Sequence, residues 1–180
     1  MVSSESQNSA VFIDRDGVIN KAIVSEGKPY APRNSAEFEL IKGVPEQLNR
    51  LKANGFLIIV ITNQPDIGHG LISANEIKLM HAELQEKVLV DEIYMCSHRQ
   101  DQLCNCRKPN TKLFFDAKTR FNINMAASYM IGDRWSDVEA GNRAGVQPIF
   151  IDYGYRESKR RLGPCRVVED LVAAVKVILG

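Results

Sequence analysis

Asp14 and Asp16 stand one residue apart at the end of a short apolar run, Ala10 to Ile13, and glycine follows at position 17. Two carboxylates so spaced can share one hard cation while serving different tasks. Asp14 can offer a carboxylate oxygen as nucleophile, and Asp16 can give a proton to a leaving alkoxide. Gly17 allows the sharp backbone path that this needs. Later in the chain, Thr62 supplies a hydroxyl and Lys108 a compact positive charge, both suited to a non-bridging phosphate oxygen. Asp133 would complete an oxygen set suited to Mg²⁺. A lone aspartate is ordinarily a turn or cap residue; carboxylates and donors gathered at three strand ends point to a site.

A second constellation is soft rather than hard. Cys96 and His98, then Cys104 and Cys106, put three sulfurs and one imidazole within eleven positions, the inventory of a tetrahedral zinc site. The intervening Arg99, Gln100, Asp101 and Gln102 leave the segment nothing to bury, which argues against packed thiols. With no position left for water, the site should be structural. Zinc would fix a loop that lacks a core and present the adjoining Arg107 and Lys108 to the crevice. Cys165 lies far off and reads as a lone thiol.

The elements that must position these groups follow from pattern. Pro45 opens a helix with Leu48 and Leu51 on one face, ended by Asn54 and Gly55. Phe56 to Ile61 reads as a buried strand. Ser73 and Glu76 make a capping-box signature for a helix whose apolar face is Ile77, Met80, Leu84 and Val88. Glu92 to Met95, Ser128 to Ile131 and Pro148 to Ile151 read as strands. Thr111 to Phe121, Asp137 to Ala144 and Leu171 to Leu179 read as helices.

This alternation predicts an α/β fold with a doubly wound parallel sheet, in which ligands bind beyond the carboxyl ends of the strands. Asp14–Asp16, Thr62–Gln64 and Gly132–Asp133 each follow a predicted strand and should converge on one crevice. Residues 1–9 read as a disordered tail and 10–180 as a single domain. The 27 residues from Val18 to Val44 exceed an ordinary connection, so a flap over the site is expected, too short for a separate cap domain.

Composition narrows the class. The chain has 180 residues, with 23 Lys plus Arg against 22 Asp plus Glu and a net charge of +1, which argues against a nucleic-acid or membrane-surface partner. The longest apolar run, Phe56 to Ile61, is far short of the ~20 residues that span a bilayer. The polar start carries no signal-peptide pattern, so a cytoplasmic, monomeric protein with reduced thiols is expected.

The motifs together resemble those of the haloacid dehalogenase superfamily. They are Asp14-Arg15-Asp16-Gly17-Val18-Ile19-Asn20, Ile61-Thr62-Asn63-Gln64, Arg107-Lys108-Pro109, and Gly132-Asp133-Arg134 with Asp137. Met125 to Asp133 is similar to the heptose 1,7-bisphosphate phosphatases, a group close to the histidinol-phosphate phosphatases. Those families have such a zinc loop; here Ser97 stands where proline is usual. The short spacing from His98 to Cys104 is closer to the histidinol-phosphate group.

The resemblance implies a Rossmann-like fold without a cap domain and a phosphoaspartyl mechanism. Asp14 would be the nucleophile and Asp16 the acid and base. Mg²⁺ would be held by Asp14, the backbone carbonyl of Asp16, and Asp133. Thr62 and Lys108 would steady the phosphoryl group. Asn63, Gln64 and Arg107 would bind the substrate, a small phosphorylated sugar, and Asp137 would orient Lys108 or the metal shell. The preferred activity is removal of the 7-phosphate. A histidinol-phosphate phosphatase and a non-catalytic zinc-loop binding protein are the alternatives. His69 reads as a solvated loop residue that could border the substrate, and His81 as structural. Trp135 either covers the crevice or packs, and Lys159-Arg160-Arg161 reads as a solvated basic patch.

Overall fold

The computed structural model describes residues 7–156 and 162–180. Its elements are β1 (Ala10–Ile13), β2 (Ile23–Ser25), β3 (Lys28–Tyr30), α1 (Val44–Ala53), β4 (Leu57–Asn63), α2 (Pro65–Gly68), α3 (Ala74–Lys87) and β5 (Glu92–Cys96). They continue with α4 (Lys112–Phe121), a 3₁₀ turn (Met125–Ala127), β6 (Tyr129–Gly132), α5 (Trp135–Ala144), β7 (Gln147–Ile151), β8 (Arg166–Val168) and α6 (Leu171–Leu179).

Six strands form one sheet in the order β5-β4-β1-β6-β7-β8, and every neighbouring pair is parallel. The central strands β1 and β4 are rich in β-branched residues, and alternate side chains enter opposite faces. Val11, Ile13, Ile58, Val60 and Ile131 pack with Leu48 and Leu51 of α1, Ile77 and Met80 of α3, and Leu171 and Val175 of α6. Phe12, Ile59, Ile61 and Met130 pack on the other face with Leu113 and Phe114 of α4 and Ala140 of α5. This is the doubly wound sheet expected. Chain order runs outward to β4 and β5 on one side of β1, and to β6, β7 and β8 on the other. The switch point therefore lies at the carboxyl end of β1, where Asp14 and Asp16 follow.

Several boundaries differ from the pattern reading for physical reasons. Strand β4 runs on through Thr62 and Asn63, which pair with Met95 and Cys96; polarity ended the apolar run, but the backbone ladder continues. Helix α5 starts at Trp135 because the Asp137 carboxylate accepts the Arg134 backbone N–H at 3.0 Å and caps the turn from its third position. At α3 only half a capping box forms. Ser73 Oγ accepts from the Glu76 N–H, while the Glu76 carboxylate turns outward to accept from Ser35 N and Oγ at 2.7 and 2.9 Å.

The expected tail is also too long. Asn8 N–H donates to the Asn122 carbonyl, its own carbonyl accepts from Asn124 N, and the Ser9 carbonyl accepts from Leu57 N. Those backbone bonds order residues 8 and 9, which composition alone marked as loose. The stretch after Val18 holds the antiparallel hairpin β2–β3, turned by Glu26 and Gly27 at φ 52° and 78°. The strand β8 is a further element that the pattern missed. The Lys159-Arg160-Arg161 patch lies outside the described residues.

Candidate active site

The turn after β1 is built around Arg15. Its backbone carbonyl accepts from the N–H groups of Val18, Ile19 and Asn20, and Asp14 Oδ1 accepts from Arg15 N at 2.8 Å. Gly17 sits at φ +91°, and a Cβ there would lie 2.0 Å from Asp133 Oδ2. Only glycine lets the two loops approach this closely.

Asp14 is buried, and Lys108 Nζ lies 2.9 Å from its Oδ1. The same ammonium lies 2.7 Å from Asp137 Oδ1 and donates to the Ile61 carbonyl at 2.6 Å. Its three hydrogens thus face three acceptors, two of them anionic. Burial alone would pull the lysine pKa down, but the Asp137 and Asp14 carboxylates outweigh it and hold the pKa above its usual value. Burial pushes Asp14 the other way, up to about 7, opposed by Lys108 and reinforced by Asp137 and Asp16.

Asp133 completes the anionic corner. Burial raises its pKa well above the usual carboxylate range, with Asp14 and Asp137 adding to it. Neither of its carboxylate oxygens has a hydrogen-bond partner among the described residues, although both are buried. A buried carboxylate left unpartnered is costly unless a cation takes its charge. Oxygen atoms of Asp14, Asp133 and Asp137 lie within 4.8 Å of one another. The donor set is hard and anionic, which fits a magnesium ion.

Asp16 is held by donors on all sides. Arg15 forks onto it with Nε at 3.0 Å and Nη2 at 2.8 and 3.1 Å, and Asn20 Nδ2 donates at 3.0 Å. Gln64 Nε2 donates to its other oxygen at 2.5 Å and to Thr62 Oγ1 at 2.8 Å. Gln64 is buried and its amide nitrogen bonds within the protein. Asn63 does likewise: its Oδ1 accepts from Lys108 N at 3.0 Å and its Nδ2 donates to the Lys108 carbonyl at 3.2 Å. Two residues expected to bind substrate therefore also hold Asp16, Thr62 and Lys108 in place. Period and polarity placed them at the site but could not say which way their amides turn.

The cysteine loop lies alongside. Cys96 Sγ is 3.2 Å from Cys106 Sγ and 3.8 Å from Cys104 Sγ, and His98 Nδ1 is 3.5 and 3.2 Å from the Sγ atoms of Cys96 and Cys106. A tetrahedral zinc with bonds of ~2.3 Å has sulfur–sulfur edges of about 3.8 Å, so the cluster has metal-site dimensions. Burial pushes the Cys96 thiol up to about 12, with Cys106 adding to it. Burial acts the same way on Cys104, but the backbone N–H groups of Arg107 and Cys106 outweigh it and hold its pKa below the usual thiol value. Arg107 Nη1 reaches the His98 carbonyl at 3.3 Å. The loop is joined to the catalytic strands through Gln64 N, which donates to the Cys96 carbonyl at 2.7 Å.

Of the remaining candidates, His69 is exposed and pairs with Gln100 at 2.7 Å, Trp135 opens α5, and Cys165 is a free thiol. His81, read as structural, lies half-buried on α3 beside Arg15, a residue that the sequence reading gave no role. Arg15 stood in the first motif only as a spacer, and the one signal for it was a cation placed between two aspartates.

A family model described as HAD-hydrolase-like matches residues 105–174. The D-glycero-beta-D-manno-heptose-1,7-bisphosphate 7-phosphatase of Helicobacter pylori is 36% identical over 148 residues, covering 78% of this chain and 81% of that protein. The D-glycero-alpha-D-manno-heptose-1,7-bisphosphate 7-phosphatase of Mycobacterium tuberculosis is 38% identical over 142 residues, covering 76% of this chain and 73% of that one. The crystal structure of a D,D-heptose 1,7-bisphosphate phosphatase from B. bronchiseptica, complexed with magnesium and phosphate, superposes with a TM-score of 0.78. It is 26% identical and covers 95% of this chain and 98% of its own.

Sheet topology, site and relatives together define a phosphatase of the haloacid dehalogenase superfamily. Within it, the chain belongs to the D-glycero-D-manno-heptose-1,7-bisphosphate 7-phosphatase family.

Proposed function

We propose that the enzyme removes the 7-phosphate of D-glycero-D-manno-heptose 1,7-bisphosphate, releasing inorganic phosphate and the heptose 1-phosphate. The observation that carries this reading is the Asp14 carboxylate, buried beside Lys108 and facing an unpartnered Asp133, in a chain whose relatives bear that name. An Asp14 oxygen attacks phosphorus while the bond from phosphorus to the sugar oxygen breaks, and Asp16 gives that oxygen a proton. Asp16 then takes a proton from water, whose oxygen attacks the phosphoaspartate and frees Asp14 and phosphate. Thr62 and Lys108 set a hydroxyl and a fixed positive charge beside the transferring group, where charge in the transition state needs them.

Asp14, the Asp16 backbone carbonyl and Asp133 would hold Mg²⁺, which when bound neutralises charge on the phosphoryl oxygens. Cys96, His98, Cys104 and Cys106 would hold Zn²⁺ in a structural role. Arg107 would grip the part of the substrate distant from the reacting phosphate. The reading places the enzyme in the cytoplasm, where thiols stay reduced and free to bind metal. No helix among the described residues is long and apolar enough to cross a membrane.

The test is phosphate release from the alpha and beta heptose bisphosphates and from histidinol phosphate, compared by kcat/KM. A heptose bisphosphate should be preferred by at least about tenfold, about 1.4 kcal/mol of transition-state binding. Preference for histidinol phosphate would overturn the substrate assignment. Relatives named for both anomers have similar identity, so the same comparison also decides the anomer.

A further inference from the structure

Arg15 is fully buried, so each of its donors has to find an acceptor inside the protein. Its Nε and Nη2 fork onto Asp16, and Nη1 lies 3.1 Å from His81 Nε2. His81 comes from α3, an element that none of the four motifs touches. Its neighbours Ile77, Met80 and Leu84 anchor that helix in the core, so the imidazole is delivered from a rigid support. Burial and then the Arg15 cation hold the histidine pKa down at about 4, so the ring is neutral at working pH. Nε2 is then the acceptor and the proton sits on Nδ1. Phe38 covers the guanidinium, with the ring centroid 5.8 Å from Cζ. Asp16, 14% exposed, is the crevice end of a chain of contacts that starts at the half-buried His81 on α3 and passes through the fully buried Arg15.

We propose that His81 is a positioning residue for proton transfer at Asp16, acting through the Arg15 guanidinium. The inference rests on the reading of Asp16 as the acid that protonates the leaving oxygen. A guanidinium with a free Nη1 can swing about its long side chain. One held at three nitrogens presents its fork to Asp16 in a single orientation. That matters because a displacement of about 1 Å in a proton donor costs on the order of 10²-fold in rate.

The experiment exploits the leaving group. A sugar alkoxide needs Asp16's proton in order to depart, whereas p-nitrophenolate departs without one. His81→Leu removes the acceptor while keeping apolar bulk. His81→Gln puts a carbonyl oxygen close to the place of Nε2, and His81→Asn falls one methylene short. For His81→Leu and His81→Asn, kcat/KM on the heptose bisphosphate should fall about 10- to 100-fold and on p-nitrophenyl phosphate less than about threefold. His81→Gln should restore most of the loss. Equal losses on both substrates, or no rescue by glutamine, would overturn the positioning role. His81→Asn carries the test should the leucine variant not fold. Asp16→Asn, measured alongside, separates the premises. If it fails to discriminate between the substrates, the acid assignment falls. If it discriminates and the His81 variants do not, only the His81 inference falls.

Discussion

Asp14 concentrates the chemistry, because in the proposed reading it is both nucleophile and metal ligand, and it is the partner of Lys108 as well. Asp14→Asn keeps its shape but removes the attacking charge, so kcat should fall by at least about 10³-fold. The fold should persist, since Asp137 still pairs with Lys108 at 2.7 Å. Retention of a tenth of the activity would exclude a phosphoaspartyl route. Arg107 and Lys108 are neighbours with different surroundings: Lys108 is buried between two carboxylates, while the Arg107 guanidinium reaches the His98 carbonyl at 3.3 Å. Arg107→Ala should lower kcat/KM on a heptose bisphosphate about 10- to 100-fold and much less on p-nitrophenyl phosphate. Lys108→Ala should damage both substrates alike, because each presents the same reacting phosphoryl group. A uniform loss for Arg107→Ala would move that residue from recognition to catalysis.

The elements decide whether these residues meet. The cysteine loop has little apolar interior, yet it carries Lys108, and Asn63 at the end of β4 ties the Lys108 backbone by two hydrogen bonds. Purified protein should therefore hold about one equivalent of zinc per chain, with ligand geometry replacing a core. Cys104→Ser should release the zinc and lower kcat, while the Mg²⁺ concentration for half-maximal activity stays unchanged. Zinc-free protein prepared without chelators and active at the same rate would sink the assignment. Much at this scale was legible in the chain. Proline and glycine marked the ends of α1, and strand–helix alternation predicted the sheet. The hairpin β2–β3 and the edge strand β8 were not legible, because each of their strands has three residues and is defined by pairing rather than by pattern.

At the scale of the whole molecule, burial of Asp14 and Asp133 couples charge to stability. Burial lifts Asp14 from 3.8 to about 7, so between those values the folded metal-free protein binds more protons than the unfolded chain. Its stability contribution therefore falls as pH rises through that window, and Asp133 shifts in the same direction. A divalent cation binds the ionised carboxylates and supplies the missing positive charge. Adding Mg²⁺ should raise Tm by several degrees at pH 8 and by much less at pH 5, as differential scanning calorimetry would read. A gain independent of pH would mean that the metal does not bind these carboxylates.

The amino-acid sequence by itself determined the order of the longer strands and helices, the strands that carry Asp14, Thr62 and Asp133 to one end of the sheet, and the cysteine and histidine spacing of the loop. Those properties are local: apolar period, turn residues and short-range spacing are read within a few positions of the chain. Only the tertiary structure decided what Gln64 and Asn63 do, since their amides turn inward onto Asp16, Thr62 and the Lys108 backbone. It alone joined His81 to Arg15 across 66 positions of chain and fitted Gly17 against Asp133. Hydrogen-bond direction and close approach depend on which distant segments share a space, and no local pattern carries that information.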